Sequence, residues 1–446
     1  MMGLWPQPAE LGLLTDLYEL TMARAYQAEG MDEPAVFSLF FRELPGERNF
    51  MLACGQEEAA ELVTALRFPR AQVERLRELD LFDDSFLRWL EDFRFSGEIH
   101  AMPEGTPVFP GEPLLEVRAP IAEAQLLETF LMNFIHLETQ LASKAVRVVL
   151  AAGERPVVDF GMRRMHGMEA SLRAVRAYRV AGIAGTSNVL GSLVHGLPAR
   201  GTQAHSYIQA HGDETEALRR YARLYPGTTL LVDTYDTLAA VDKVIGLVRD
   251  EGLDVGGIRM DSGDLDALSR EARKRLDDAG LEAVKILVSG GLDEWKIRDL
   301  VAAGAPVDGF GVGTEMGAVT DAPALDIAYK LTEYGGEGRL KNAPGKAIYP
   351  GRKQVWRFTD GSGRCTHDEI TLRDEGRNGV PLLRPVVSEG SPVLPAPDPE
   401  GTRARVRENL AALPPELLSM DRAAEPYPVS FSPELEKLRE EILKRG

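Results

Sequence analysis

Ile258-Arg259-Met260-Asp261-Ser262-Gly263-Asp264 starts apolar and ends in charge. Six other stretches of the middle of the chain follow the same pattern. Residues 157–160 run into Gly161-Met162-Arg163-Arg164, and Ile183-Ala184 into Gly185-Thr186-Ser187-Asn188. Residues 197–199 lead to Gly201-Thr202-Gln203-Ala204-His205-Ser206-Tyr207, and 230–232 to Asp233-Thr234-Tyr235-Asp236. Residues 286–288 end at Ser289-Gly290-Gly291, and 307–310 at Gly311-Val312-Gly313-Thr314. Short apolar runs with polar ends are the pattern of a parallel β/α barrel, whose buried strands carry their chemistry to one face. Helical patterns alternate with them, at 170–180, 214–225, 238–251, 265–279 and 293–303. Seven candidate strands predict an irregular or incomplete barrel.

Outward from this core the pattern changes. Helical periodicity covers 12–29, 57–66, 70–90 and 123–150, and 35–41 reads as a strand. Pro103, Gly105, Pro107, Pro110, Gly111 and Pro113 punctuate short antiparallel hairpins. Past Tyr329 the alternation stops: 335–350 is turn-rich, 355–358 reads as a strand, and 392–399 is a proline-rich connector. Ser432 followed by Pro433 marks the start of a final helix. The expected fold is α/β: an N-terminal α+β domain (1–150), a barrel domain (151–335) and a C-terminal extension (336–446).

The 446 residues carry a formal charge of −18, with 44% hydrophobic and 27% charged residues. That excess of acid argues against nucleic acid or an anionic membrane as the main partner. Cys54 and Cys365 form neither a metal-type pair nor a disulfide framework, which points to a reducing compartment. The first residues lack a basic segment ahead of an apolar one, and no apolar run approaches membrane-spanning length. A cytoplasmic protein is expected.

Two loops are the richest in chemistry. In the 201–207 loop, His205 sits between Thr202 and Ser206; an imidazole there serves as base, ligand or phosphate acceptor, or simply bonds its neighbours. Arg259 beside Asp261 and Asp264 suits a carboxylate or phosphate on the cation, and ribose hydroxyls or Mg²⁺ on the acids. The alternative is a turn in which Asp261 caps the next helix. The glycine turns at 289–291 and 311–314 expose backbone N–H groups, and late barrel loops often bind phosphate. Arg163 and Arg164 are either anion clamps or surface charges. The remaining histidines lack comparable company.

These motifs, in this order, and Leu13-Leu14-Thr15-Asp16-Leu17-Tyr18-Glu19-Leu20-Thr21-Met22 at the start, resemble the nicotinate phosphoribosyltransferases. The resemblance runs from about Leu13 to the Tyr427-Pro428-Val429 region. It implies an irregular α/β barrel of the type II phosphoribosyltransferase kind. It implies a reaction in which nicotinate and 5-phosphoribosyl 1-diphosphate (PRPP), with ATP and water, give nicotinate mononucleotide, diphosphate, ADP and phosphate. By position, His205 matches the transiently phosphorylated histidine, with Asp261 as a second catalytic residue. Tyr18, Thr202, Arg259 and Ser187 match the nicotinate side. Arg163, Gly291, Gly313, Thr314 and Asp264 match the PRPP side. Mg²⁺ is expected on the diphosphate rather than in a protein metal site, and ATP as co-substrate. A homodimer is implied. The 43–49 segment departs from the Gly-rich turn of many relatives, and the zinc-binding cysteine cluster of some shorter archaeal relatives is absent.

The nearest alternative is nicotinamide phosphoribosyltransferase. Those enzymes carry an aspartate where this chain has Ser187; a serine does not repel a carboxylate, and Arg259 attracts one. A catalytically silent barrel would be expected to lose His205 or the Asp261/Asp264 pair, and both are present.

Overall fold

The computed structural model describes residues 8–341, 348–393 and 398–445. Contacts divide the chain into two compact units: Leu141–Pro323, and the residues up to Gln140 together with those from Ala324 on.

The Leu141–Pro323 unit holds a six-stranded, wholly parallel sheet. Its strands in chain order are Val157–Asp159, Gly185–Thr186, Thr228–Leu231, Val255–Met260, Lys285–Val288 and Gly309–Val312. Across the sheet they run second, first, sixth, fifth, fourth, third. The result is a parallel half-barrel. Leu230, Leu231, Ile258, Met260, Ile286, Val288 and Val312 are fully buried, which is why these runs read as continuously apolar.

The seventh candidate strand, at 197–199, makes only a bridge from Ala199 to Thr186. Pro198 lends its carbonyl to Thr186 N–H but has no N–H of its own to continue a ladder. Helices start where Asx residues cap them: Asn188, Asp236, Asp264 and Asp293 after strands, and Asp213 after a short helix, each accept an N–H from three residues on. Asp264, not Asp261, therefore caps the helix Leu265–Asp278. That leaves the Asp261 carboxylate for other work.

The second unit is built on a seven-stranded sheet in which an interior strand, Pro34–Phe41, is buried along nearly its whole length. It pairs antiparallel with Ile327–Tyr334 on one side and Leu115–Pro120 on the other. Arg384–Ser388 joins the same sheet through Glu98–Ala101, so sequence-distant ends share one core. A smaller sheet includes Lys353–Thr359 and Cys365–Leu372.

Several expected helices are broken. The 70–90 pattern is two helices, Arg70–Arg77 and Asp84–Glu91, because Asp80 turns left-handed (φ 53°) and Asp83 caps a new start. The 123–150 pattern likewise becomes Ile121–Gln125 and Glu128–Ala152. Ser432 does start the last helix: its Oγ accepts Leu435 N–H at 3.2 Å. The helix Pro399–Ala412 had no sequence forecast. Parts of the turn-rich stretch (342–347) and of the proline connector (394–397) lie outside the described residues. The 43–49 segment is tied down by Asn49, whose amide meets Ser419, Asp421 and Ala423. Among the described residues, no helix is long and apolar enough to cross a membrane.

Candidate active site

The polar strand ends of the half-barrel are stitched to one another by their own side chains. Asp159 closes the first strand. Its Oδ1 accepts Gly161 N–H at 2.7 Å and its Oδ2 accepts the Thr186 hydroxyl at 2.7 Å. One buried carboxylate thus fixes both the Phe160–Arg164 turn and the second strand end, where Ser187 N–H meets Asp159 O at 2.9 Å. Burial raises the Asp159 pKa, against the pull of those donors. A Cβ on Gly313 would stand 3.1 Å from Phe160 O, so the sixth strand end passes the first at backbone contact.

Arg259 lies at the centre. Its side chain is only 14% exposed and sits over the Phe160 ring, 5.4 Å from the centroid. Nη1 donates to the Thr202 hydroxyl at 2.5 Å, and Nη2 is 3.7 Å from Asp261 Oδ1. Burial lowers its pKa, Asp261 and Asp233 oppose that, and nearby Arg163 adds to it. Among the described residues its Nε has no hydrogen-bond partner. A buried guanidinium with unspent donors is a ready receptor for a planar carboxylate.

Around it, Asp261 Oδ1 accepts the Ser289 hydroxyl at 2.5 Å. Asp233 Oδ2 accepts both Asp261 N–H (2.9 Å) and the Ser262 hydroxyl (2.7 Å), while its buried Oδ1 has no partner among the described residues. A Cβ on Gly290 would fall 1.8 Å from Asp261 O, so only glycine fits that turn. His205 opens a short helix, half-buried, with Nδ1 3.1 Å from the Thr234 hydroxyl next to Asp233.

The sequence-selected residues are thus placed as follows. Thr202, Arg259 and Asp261 join one network, with His205 bonded at the neighbouring strand end. Ser187, Gly313 and Thr314 occupy strand ends of the same face. Arg163 is exposed on its turn, close enough to Arg259 to act on its charge. Gly291 is left-handed (φ 58°), and its carbonyl accepts Lys296 Nζ at 2.5 Å. Asp264 is exposed and caps its helix. Tyr18 belongs to the other unit, in the helix Leu17–Glu29, 44% exposed; burial first, then Glu128 and Glu19, raises its phenol pKa.

Asp293 caps the helix Glu294–Ala302 by taking the Lys296 N–H (2.8 Å), and the Lys296 ammonium donates to the Gly291 carbonyl.

Sequence reading quoted Asp233 and Thr234 at their strand end without giving them a role, and passed over Asp159 and Lys296; an acid inside the apolar run 157–160 was the available signal for Asp159.

The half-barrel, its glycine turns and this ring of strand-end contacts define a type II phosphoribosyltransferase fold. A crystal structure of human nicotinic acid phosphoribosyltransferase superposes on it with a TM-score of 0.85 at 28% identity, covering 96% of this chain and 99% of that one. Nicotinate-nucleotide pyrophosphorylase from Pyrococcus furiosus gives 0.76 at 26% identity, covering 92% and 98%. Three family models match in series: the nicotinate phosphoribosyltransferase (NAPRTase) N-terminal domain at 13–136, the NAPRTase family at 156–357, and the C-terminal domain at 377–439. Nicotinate phosphoribosyltransferase pncB2 of Mycobacterium tuberculosis is 52% identical, over 94% of this chain and 91% of its own length. The Bacillus subtilis enzyme is 38% identical, over 84% and 79%. The chain belongs to the nicotinate phosphoribosyltransferase family.

Proposed function

We propose that this protein joins nicotinate to the 5-phosphoribosyl group of PRPP, coupled to ATP hydrolysis through a phosphohistidine, in pyridine nucleotide salvage. The observation that carries the choice of base is Arg259, a buried cation with donors to spare. The Ser187 side chain brings no opposing charge of its own, so the nicotinamide alternative is disfavoured.

In this reading the nicotinate carboxylate lies on Arg259 and Thr202; a face of Tyr18 for the pyridine ring is what the family resemblance alone implies. The ring nitrogen attacks C1 of the ribose; the C1–O bond to diphosphate breaks, giving nicotinate mononucleotide and diphosphate. The barrier falls mainly through alignment and stabilisation of developing charge. The 5-phosphate rests on the turns at Gly291 and at Gly313-Thr314, with Arg163 as a further cation. Asp264 spends Oδ1 on its helix cap, and Oδ2 is left for a ribose hydroxyl.

Mg²⁺ is carried by the diphosphate in this reading, with the Asp261 carboxylate lying toward it, since the ion takes few protein carboxylates and leaves the rest to phosphate and water; among the described residues no cluster of three or more His, Cys, Asp or Glu side chains could hold it alone. When bound, the ion would neutralise charge on the departing diphosphate. His205 accepts a phosphoryl group from ATP, releasing ADP, and water later frees it as phosphate. Thr234 orients the ring nitrogen that is not phosphorylated. We place the protein in the cytoplasm as a homodimer, with 1–150, 151–335 and 336–446 as its functional segments.

Turnover with nicotinate and with nicotinamide as competing bases tests the assignment. Preference for nicotinamide, or no nucleotide product from either base, sinks it.

A further inference from the structure

Four charged side chains, buried or nearly so, join the helix Glu128–Ala152 to the segments that follow the two glycine turns. Lys144 and Arg147 lie one turn apart on the helix Glu128–Ala152. Lys144 Nζ meets Glu294 Oε2 at 2.5 Å and Asp321 Oδ1 at 2.8 Å; Arg147 Nε meets Glu294 Oε1 at 2.9 Å. The side chains of Lys144, Glu294 and Arg147 are 1%, 0% and 5% exposed. Both cations also lie over the Trp295 ring, at 5.0 and 5.4 Å.

The connectivity gives this cluster its meaning. Glu294 begins the helix that follows the Ser289-Gly290-Gly291 turn. Asp321 follows the short helix that begins at Thr314. One ammonium therefore ties together the segments behind both glycine turns. Buried ion pairs are a poor source of stability compared with apolar packing, but they enforce one register, because any slip strands a charge. Cation–ring contact with Trp295 sharpens that register. None of the four side chains is among the groups assigned above to substrate.

We propose that Lys144, held by Glu294 and Asp321, is a positioning residue that sets the spacing of the two turns and so the affinity for PRPP. This rests on the placement of the 5-phosphate at Gly291 and Gly313. Since Lys144→Met takes a buried cation from two carboxylates at once and risks misfolding, the informative variant is Asp321→Asn. It removes the charge from the link between the turns, at the most exposed member (18%), while leaving an oxygen that still accepts from the ammonium.

Asp321→Asn is expected to raise the KM for PRPP roughly tenfold while the KM for nicotinate stays within about twofold. Lys144→Arg, which keeps the cation, should retain most of the PRPP affinity. A purely structural role would instead lower the melting temperature and leave the two KM values in step, and that result overturns the proposal. Gly291→Val serves as the control for placement. If it raises the PRPP KM and Asp321→Asn does not, the clamp alone is wrong. If Gly291→Val leaves the PRPP KM unchanged, the phosphate placement fails, and the clamp with it.

Discussion

The carboxylate of Asp233 accepts the backbone N–H of Asp261 at 2.9 Å, so the end of one barrel strand fixes the loop that follows the next. The same oxygen takes the Ser262 hydroxyl. Asp233→Ala leaves both donors without their acceptor, at a cost of roughly 1–3 kcal/mol. The Asp261 loop should loosen, and kcat/KM for PRPP should fall about ten- to a hundredfold. Steady-state kinetics at saturating nicotinate measure it; a change under about twofold would remove Asp233 from the site.

Arg259→Ala should weaken nicotinate specifically. A charge-assisted contact of this kind contributes on the order of 1.5–3 kcal/mol. The nicotinate KM is therefore expected to rise roughly ten- to a hundredfold. Discrimination against nicotinamide should shrink with it, since the neutral amide gains little from the guanidinium. Competition between the two bases reads both effects, and undiminished selectivity would mean that another group recognises the carboxylate.

His205→Ala should abolish incorporation of acid-labile phosphate from ATP, and with it ATP hydrolysis and the stimulation of turnover by ATP. Thr234→Val, which removes the hydroxyl 3.1 Å from Nδ1, should slow phosphorylation without abolishing it. Labelled ATP with mapping of the modified residue settles the matter. Undiminished labelling of the His205→Ala protein would falsify the assignment.

Glu112 predicts a pH effect on stability. It is fully buried against Asp368, which already binds Arg357 (2.6 Å) and Tyr427 (3.0 Å). Burial, and then the Asp368 charge, pushes the Glu112 pKa well above the usual carboxylate range. The native state thus keeps a proton that the unfolded chain has released. Its contribution is complete below the ordinary glutamate pKa and is lost as pH rises through the raised value. Glu112→Gln, which mimics the protonated form, should flatten the alkaline decline in melting temperature. Melts across a pH series compare the slopes, and equal slopes would assign the decline elsewhere.

The sequence by itself determined the strands and what stands at their ends. Runs such as 286–288 and 230–232 are apolar throughout because they are covered on both faces, and that requirement is written locally. So are the helix starts at Asp236, Asp264 and Asp293, since a cap needs only its own next three residues. Arg259, His205 and Thr202 stood out for the same reason, as polar residues where buried strands stop.

Which acid does which job was decided only in three dimensions. Asp261 and Asp264 look alike in sequence, yet one caps a helix and the other meets Ser289, 28 positions away. Asp159 and Asp233 act on neighbouring loops, and Lys144 reaches Glu294 across 150 positions. The pairing of Pro34–Phe41 with Ile327–Tyr334 is likewise invisible in either strand alone. Periodicity reports whether a residue is buried; it does not report its partner. Partners are fixed by closure of the sheet, which brings distant strand ends within hydrogen-bond reach.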